Sequence, residues 1–448
     1  MAGRERNMFM EGQGTGPGEV KSRDPEERRT LFNGGVLSAL GHRDYAILWS
    51  SDLLSNLGTW VQTAVLLWLI KNVLHSNSWV GAVNLASFVP VIFLVPFTGA
   101  LSDRYDRKRM LILSQVIMFF GALALGIAAS LNSANKAAIL VTVAVIGVGG
   151  AISFPAWIAL LPDMVPPEDV LNAIALSSAQ WNVARLIGPL IAAAVLALST
   201  PAVAFYVNAA SFLVVIGALF LIHPRRGALA TSTESLWRNV LGGFRYAWEQ
   251  RWITGLLLTL TVVAFFGMSY IPLLPGFVQD TLHRGSSAYG VLLGMTGLGA
   301  ITGSLLVSYV VRFYRIPSII RAGFLSLGLL LIGFAAFRQF WLLSLIVFGL
   351  GVSFIVAGTA ASSMLLNGSV REMRGRVSSL FAIVYVGVSA IGGYFLSYVA
   401  DVRTVPFSLA LGGTACIAVT IVLVFFPGLV GGPGECAPGN ETCTQMIR

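Results

Sequence analysis

The sequence predicts an all-α membrane protein of twelve transmembrane helices in two pseudo-symmetric six-helix bundles. Three observations carry that expectation. Of 448 residues, 56% are hydrophobic and 11% charged, and the mean hydropathy is +0.79. A soluble domain carries about 25% charged residues, so this chain cannot cover itself with polar surface and its solvent is largely lipid. The apolar residues also fall into runs long enough to cross a bilayer, which takes roughly 20 residues each. Finally, the two halves of the chain repeat.

Residues 1–43 are rich in Gly and charge and lack apolar periodicity. They read as a disordered cytoplasmic arm, with a short surface helix near 26–40. Six spans follow at about 45–70, 78–101, 108–130, 137–161, 170–198 and 202–222, so that 44–222 forms a first bundle. A polar linker occupies 223–251. Six more spans lie at about 252–278, 287–311, 316–337, 340–366, 376–399 and 404–427, giving a second bundle over 252–427 and a cytoplasmic tail over 428–448. Each run is expected to be helical, because in lipid every backbone polar group must be satisfied within its own segment.

Charge sets the orientation. With the N-terminus inside, about 22 of the 29 Lys and Arg fall in inside segments and about 5 in outside loops. Both termini are therefore expected in the cytoplasm. The net charge of +9 becomes a topology signal and needs no nucleic acid. No charged n-region with a short apolar core and a small-residue cleavage site opens the chain, so no removable signal peptide is expected.

Sliding the chain by about 205 residues lays "VPPEDVLNAIAL", from Val165, over "VREMRGRVSSLF", from Val370. Gly188 then falls on Gly393, and Gly99 within one residue of Gly303. Such half-to-half symmetry, with a polar linker between, suggests two bundles related by an axis along the membrane normal.

Between spans two and three lies "GALSDRYDRKRM", which contains Gly99, Asp103, Arg104, Asp106 and Arg107. Gly99 lacks a Cβ and lets its helix approach a neighbour closely. The basic run enforces positive-inside topology. The stretch resembles the loop between helices two and three of the major facilitator superfamily, G-x-L-a-D-r-x-G-R-k, with Asp106 where glycine is commonest. The resemblance covers about residues 42–427. It implies that Asp103 faces the N-terminus of helix eleven, where a carboxylate is stabilised by roughly 0.3–1 kcal/mol. It further implies that Arg107 ties Asp103 down, with Asp163 as a second acid. Such a latch would bias the outward-open state. The matching stretch of the second half, "GSLLVSYVVRFYR", lacks the acid, so the latch would be one-sided.

"LWSSDLLSNLGTWVQ", "FPAWIALLPDMVP" and "NVARLIGPLIAA" resemble the drug-efflux branch that includes enterobactin and macrolide exporters. Gly188-Pro189 in helix five resembles the antiporter pattern G-x-x-x-G-P-x-x-G-G, with Ala184, Ala192 and Ala193 in place of glycines. Small residues are kept there, so close packing is expected.

Two ionisable residues lie well inside spans: Asp52 and Arg185. Either costs about 2.5–3.5 kcal/mol at a span's centre, which makes each a functional candidate. Asp52, Ser55, Asn56, Thr59, Gln62 and Thr63 recur at helical spacing and form a polar stripe on helix one. A polar stripe on a spanning helix should face a wet cavity. Asp52 reads either as a proton-coupling carboxylate or as a solvated structural one. Arg185 reads as an anion contact or gate, or as a structural pairing partner. It shares one face of helix five with Ser178, Trp181 and Pro189. Depth along the two helices separates Asp52 from Arg185 by about 12 Å, which leaves their pairing open. Trp181, Phe265, Tyr270, Phe381 and Tyr385 are aromatic candidates for a substrate cavity.

Other signals are weak. Cys436 and Cys443 have no histidine nearby and make a poor metal site. The sequon at Asn440 falls on the inside by this topology. No G-x-x-x-x-G-K-[ST] motif occurs, so ATP is not expected as the energy source. The expectation is therefore a secondary active transporter rather than an enzyme. It is expected in the inner membrane as a monomer, with no cofactor and a proton gradient as energy source. Its most direct reading is proton-coupled efflux of an amphiphilic drug, macrolide or siderophore. The alternatives are an importer or facilitator of a native metabolite, and a non-transporting sensor or scaffold of the same fold.

Overall fold

The computed structural model describes residues 37–132, 135–224, 245–370 and 373–430, and within these the side chains at 96, 99, 100 and 102–104 lie outside the description. Most of the expected arm, tail and linker falls outside the described residues. Twelve described helices are long and apolar enough to cross a membrane. The first six are α1 (Arg43–Leu74), α2 (Asn77–Arg104), α3 (Arg107–Ser130), α4 (Lys136–Met164), α5 (Val170–Leu198) and α6 (Pro201–Leu221). The second six are α7 (Arg251–Thr281), α8 (Ser286–Val310), α9 (Ile316–Ala336), α10 (Phe340–Gly368), α11 (Arg374–Val402) and α12 (Val405–Phe425). The protein is a multi-pass membrane protein. An even number of crossings brings both described ends out on one face, here termed the terminal face.

Local chemistry sets several helix starts. Proline occupies the first turn of α6, α9 and α12, where its missing N–H leaves no bond unmade. The side chains of Asn135 and Thr404 accept from Ala138 and Phe407 and cap α4 and α12. Asp106 does the same for α3, accepting from the Arg109 N–H at 3.0 Å. Aspartate in place of the usual glycine thus acts as a helix cap.

Two helices are interrupted at mid-length. α7 is α-helical over Arg251–Gly267, breaks at Met268 and Ser269, and resumes as Tyr270–Gly276 before a π-turn over Phe277–Thr281. α11 runs as Arg374–Ala382, a π-helical stretch Ile383–Val388, then Ser389–Val402. The interruptions re-aim the side chains that follow, and in α11 they place Tyr385 inside the π-turn.

The bundles meet through small residues, as expected where no hydrophobic effect drives helices together. α5 crosses α8, where a Cβ at Gly297 would lie 2.7 Å from the Leu186 Cα. α2 crosses α11, where a Cβ at Gly81 would lie 2.7 Å from the Ser397 Cβ. These crossings lie in the halves of the helices away from the terminal face. The largest buried cluster runs the depth of the second bundle, from Trp252 and Val377 to Phe277, and joins Leu273, Phe277 and Leu292 to Ile70 and Val65 of the first bundle. A separate cluster around Tyr45, Leu48, Leu111 and Leu160 holds the terminal-face half of the first bundle.

Candidate functional site

Asp52 stands on α1, about 14 Å along the helix from Arg43. One of its oxygens accepts two hydrogen bonds, from the Asn56 amide one turn on at 2.9 Å and from the Gln180 amide of α5 at 2.7 Å. Gln180 is 1% exposed, and its own Oε1 is buried without a partner. A primary amide can donate to a carboxylate or, turned over, accept from a carboxylic acid. Gln180 can therefore serve both protonation states of Asp52. Sequence reading missed it, because one glutamine among apolar residues carries no spacing signal. The signal that could have found it is its position between Ser177, whose hydroxyl lies 3.4 Å from that of Tyr45, and Ala184, on the same face of α5 toward α1.

The polar stripe on α1 divides. Asn56 stays with Asp52. The Thr63 hydroxyl back-bonds to the Thr59 carbonyl at 2.8 Å. Gln62 is 5% exposed and accepts from Asn208 of α6 at 2.9 Å. Gln62 thus fastens α1 to α6 inside the first bundle and is not placed on an open wall. The stripe is too wide for one face, since its members span more than a right angle of helix.

Arg185 does not pair with Asp52. Its guanidinium lies over the Trp60 ring at 5.7 Å, and the Trp181 ring meets Trp60 edge-on at 6.3 Å. Trp181 is 44% exposed. From the second bundle, Tyr270 and Tyr385 come within electrostatic reach of Arg185. Tyr385 stacks on Phe381 at 5.1 Å and leans on Phe354 at 4.8 Å. Trp60, Trp181, Arg185, Tyr270 and Tyr385 therefore gather from both bundles, with Phe381 behind them. Phe265 is placed elsewhere, packing against Phe395 at 5.4 Å. Gly188 sets the approach of α1 to α5, since a Cβ there would lie 2.5 Å from the Trp60 Cβ. The Pro189 carbonyl faces Gly290 of α8 at 3.0 Å from the position of a Cβ, so helix-five packing extends to the other bundle.

On the terminal face, Arg107 and Asp163 form an ion pair at 2.6 Å, both partly buried, joining the starts and ends of α3 and α4. The side chains of Asp103 and Arg104 and the surroundings of Gly99 lie outside the described residues, as does any contact of Asp103 with Arg107 or α11. Lys108 donates to the Ile222 carbonyl at 3.0 Å and closes the end of α6. His42 and Asp169 meet at 2.7 Å between α1 and α5.

The face opposite the termini carries a second polar constellation. Asp401, at the end of α11, accepts from the backbone N–H groups of Asn77 and Ser78 at 2.7 and 2.8 Å. The hydroxyls of Ser76 and Ser78 donate to it at 2.6 Å each. It thereby caps α2 of the other bundle, where the unsatisfied N–H groups and the helix dipole favour a negative charge. Beside it, Lys71 is 3% exposed and meets Asp280 of α7 at 2.6 Å, with Asn77 donating to the same oxygen at 3.3 Å. Gly276 leaves room for the Asn77 side chain, which would otherwise collide with a Cβ. These groups bolt the bundles together at that face.

The chain is similar to known transporters over nearly its whole length. The staphyloferrin A transporter of Staphylococcus aureus is 25% identical over 384 residues, covering 84% of this chain and 94% of that one. The enterobactin exporter of Citrobacter koseri is 23% identical over 361 residues, covering 80% and 86%. A solved nucleoside transporter superposes with a TM-score of 0.69 at 14% identity, covering 86% of this chain and 98% of that one, which shows the fold. Residues 34–433 match the family described as transmembrane secretion effector. Its relatives are transporters rather than enzymes. The chain belongs to this family of the major facilitator superfamily.

Proposed function

We propose that the protein exports an amphiphilic small molecule in exchange for protons by alternating access, with the siderophore class favoured over drugs and macrolides. The names of the two full-length relatives support that class. The observation that carries the reading is Asp52, a carboxylate inside a spanning helix that is held by two neutral amides and no cation. A carboxylate so placed is costly to keep charged. Taking up a proton removes that cost.

The terminal face is taken as cytoplasmic, following the distribution of Lys and Arg. The clasp at Asp401 and Lys71 then lies outside, and this conformer is the inward-facing one. In it Asp52 releases its proton to the cytoplasm and the substrate enters. Substrate binding and loss of the proton let the outer clasp part and the inner ends of the bundles close. Asp103 and Arg107, with Asp163 holding Arg107, latch that outward-facing state. Protonation of Asp52 from outside returns the carrier.

Purified protein in proteoliposomes tests this. An imposed pH gradient should drive radiolabelled siderophore against its concentration gradient, and a protonophore should abolish the uptake. Asp52→Asn should stop gradient-driven transport while leaving substrate binding within about threefold. Full gradient-driven transport by that variant would remove Asp52 as the carrier. Substrate movement toward the cytoplasmic side with the protons would mark an importer instead.

A further inference from the structure

The group around Arg185 holds a buried donor without an acceptor among the described residues. Arginine stays charged at any accessible pH and offers five N–H donors. Among the described residues the ion pairs are His42–Asp169, Lys71–Asp280, Arg107–Asp163 and Arg245–Glu249, and Arg185 belongs to none of them. Asp52, the carboxylate that depth and sequence first suggested as its partner, is occupied by Gln180 and Asn56. The guanidinium lies over the face of Trp60 at 5.7 Å. The indole Nε1 of Trp60 is itself buried with no acceptor. An unsatisfied buried donor is costly, and so is a cation in a spanning segment. The buried Trp60 donor beside a partly buried cation with no carboxylate partner among the described residues points to an acceptor that arrives with the ligand.

The walls add shape. Trp60 and Trp181 stand edge to face on one side. Tyr270 and Tyr385 of the second bundle lie within electrostatic reach of Arg185, and Phe381 stacks on Tyr385. The ring faces suit a flat apolar body, and the Tyr385 hydroxyl can donate a further hydrogen bond. A guanidinium repels a cationic ligand and gives a neutral one little. A carboxylate or comparable acidic oxygen group satisfies it in a bidentate manner and can also accept from an indole N–H.

Resting on the exporter reading above, we infer that the substrate is an organic anion, with its acidic oxygens on Arg185 and the Trp60 Nε1 and its flat apolar body between the tryptophan and tyrosine walls. Both bundles then touch one ligand, so its arrival at Arg185 is sensed by α1 and α5 on one side and by α7 and α11 on the other.

Three probes of one shape and different charge test the inference: 2-naphthoate, 2-naphthamide and 2-naphthylmethylammonium. Binding to the full-length protein in lipid nanodiscs is measured by equilibrium dialysis. Naphthoate should bind at least tenfold tighter than the amide, and the ammonium most weakly. Arg185→Gln should lower naphthoate affinity at least tenfold and leave amide affinity within about twofold. Retained amide binding shows that the variant is folded. Trp60→Phe keeps the ring and removes the orphaned donor, and should cost naphthoate severalfold and the amide little. Equal binding of the three probes, a preference for the ammonium, binding of none, or unchanged naphthoate affinity in Arg185→Gln would overturn the inference. Proteoliposome transport separates it from the parent reading. If naphthoate binds through Arg185 but no pH gradient moves it, the exporter reading fails and the anion site stands. If a gradient drives the amide or ammonium and Arg185→Gln is indifferent, the anion site fails and the exporter reading stands.

Discussion

At the scale of single residues, the informative positions are those whose side chains the packing cannot exchange. Gly188 is the clearest. A Cβ there would lie 2.5 Å from the Cβ of Trp60 and 3.3 Å from its backbone carbon. Neither atom is the far end of a flexible chain, so α1 and α5 must separate to admit a methyl group. Overpacking of this kind costs typically 1–3 kcal/mol. Gly188→Ala should therefore lower the Tm of the purified protein by several degrees, measured by the unfolding-linked rise in cysteine reactivity of buried Cys416. An unchanged Tm would show that the contact yields freely. Asp52 and Arg185 were visible in the sequence because a charge in an apolar run stands out. Gln180 was hidden, because its importance lies in the one oxygen it touches. Helical spacing assigns Gln62 to the cavity because it reports a face and not which neighbour that face meets.

At the scale of elements, the spans were legible and their interruptions were not. Hydropathy finds where an apolar run starts and stops, and it placed α6, α9 and α12 within a residue or two of their observed ends. It cannot see that α7 breaks at Met268 or that α11 widens to a π-turn at Ile383, because the residues there are as apolar as their neighbours. The junction of α2 with α11 was also invisible. Lys71, Asp280 and Asp401 sit in what reads as loop sequence, more than 120 residues from one another along the chain. The cap that Asp401 places on α2 yields a direct expectation. Asparagine keeps its shape but removes the charge that four donors satisfy. Hydrogen bonds to a charged group contribute about 1.5–3 kcal/mol, so Asp401→Asn should move the bundle equilibrium toward opening at this face by tenfold or more. Spin labels at Leu131→Cys and Trp341→Cys, both exposed on this face in different bundles, should then report a longer-distance population by double electron–electron resonance. An unshifted distance distribution would deny the clasp any hold on the equilibrium.

For the whole molecule, the two charged features of the interior have a joint consequence. On the proposed cycle Asp52 carries the proton in the first bundle, and Arg185 has no carboxylate partner among the described residues. If the carrier exchanges one proton inward for one singly charged anion outward, two elementary charges cross per cycle in the same electrical sense. A membrane potential is worth about 2.3 kcal/mol per charge per 100 mV, so two charges gain roughly 4.6 kcal/mol from an interior-negative potential of that size. The potential alone should then drive export. In proteoliposomes held at equal pH on both sides, a valinomycin-imposed potassium potential, negative on the cytoplasmic side, should expel naphthoate, and reversing the potential should load it. Arg185→Gln should abolish that response to naphthoate, because the anion no longer binds. Proton exchange against a neutral substrate moves one charge, so its response to the same potential should be about half as large. Export of naphthoate that ignores the potential would mean that compensating charges travel with it, and the pairing of Asp52 with Arg185 into one cycle would have to be given up.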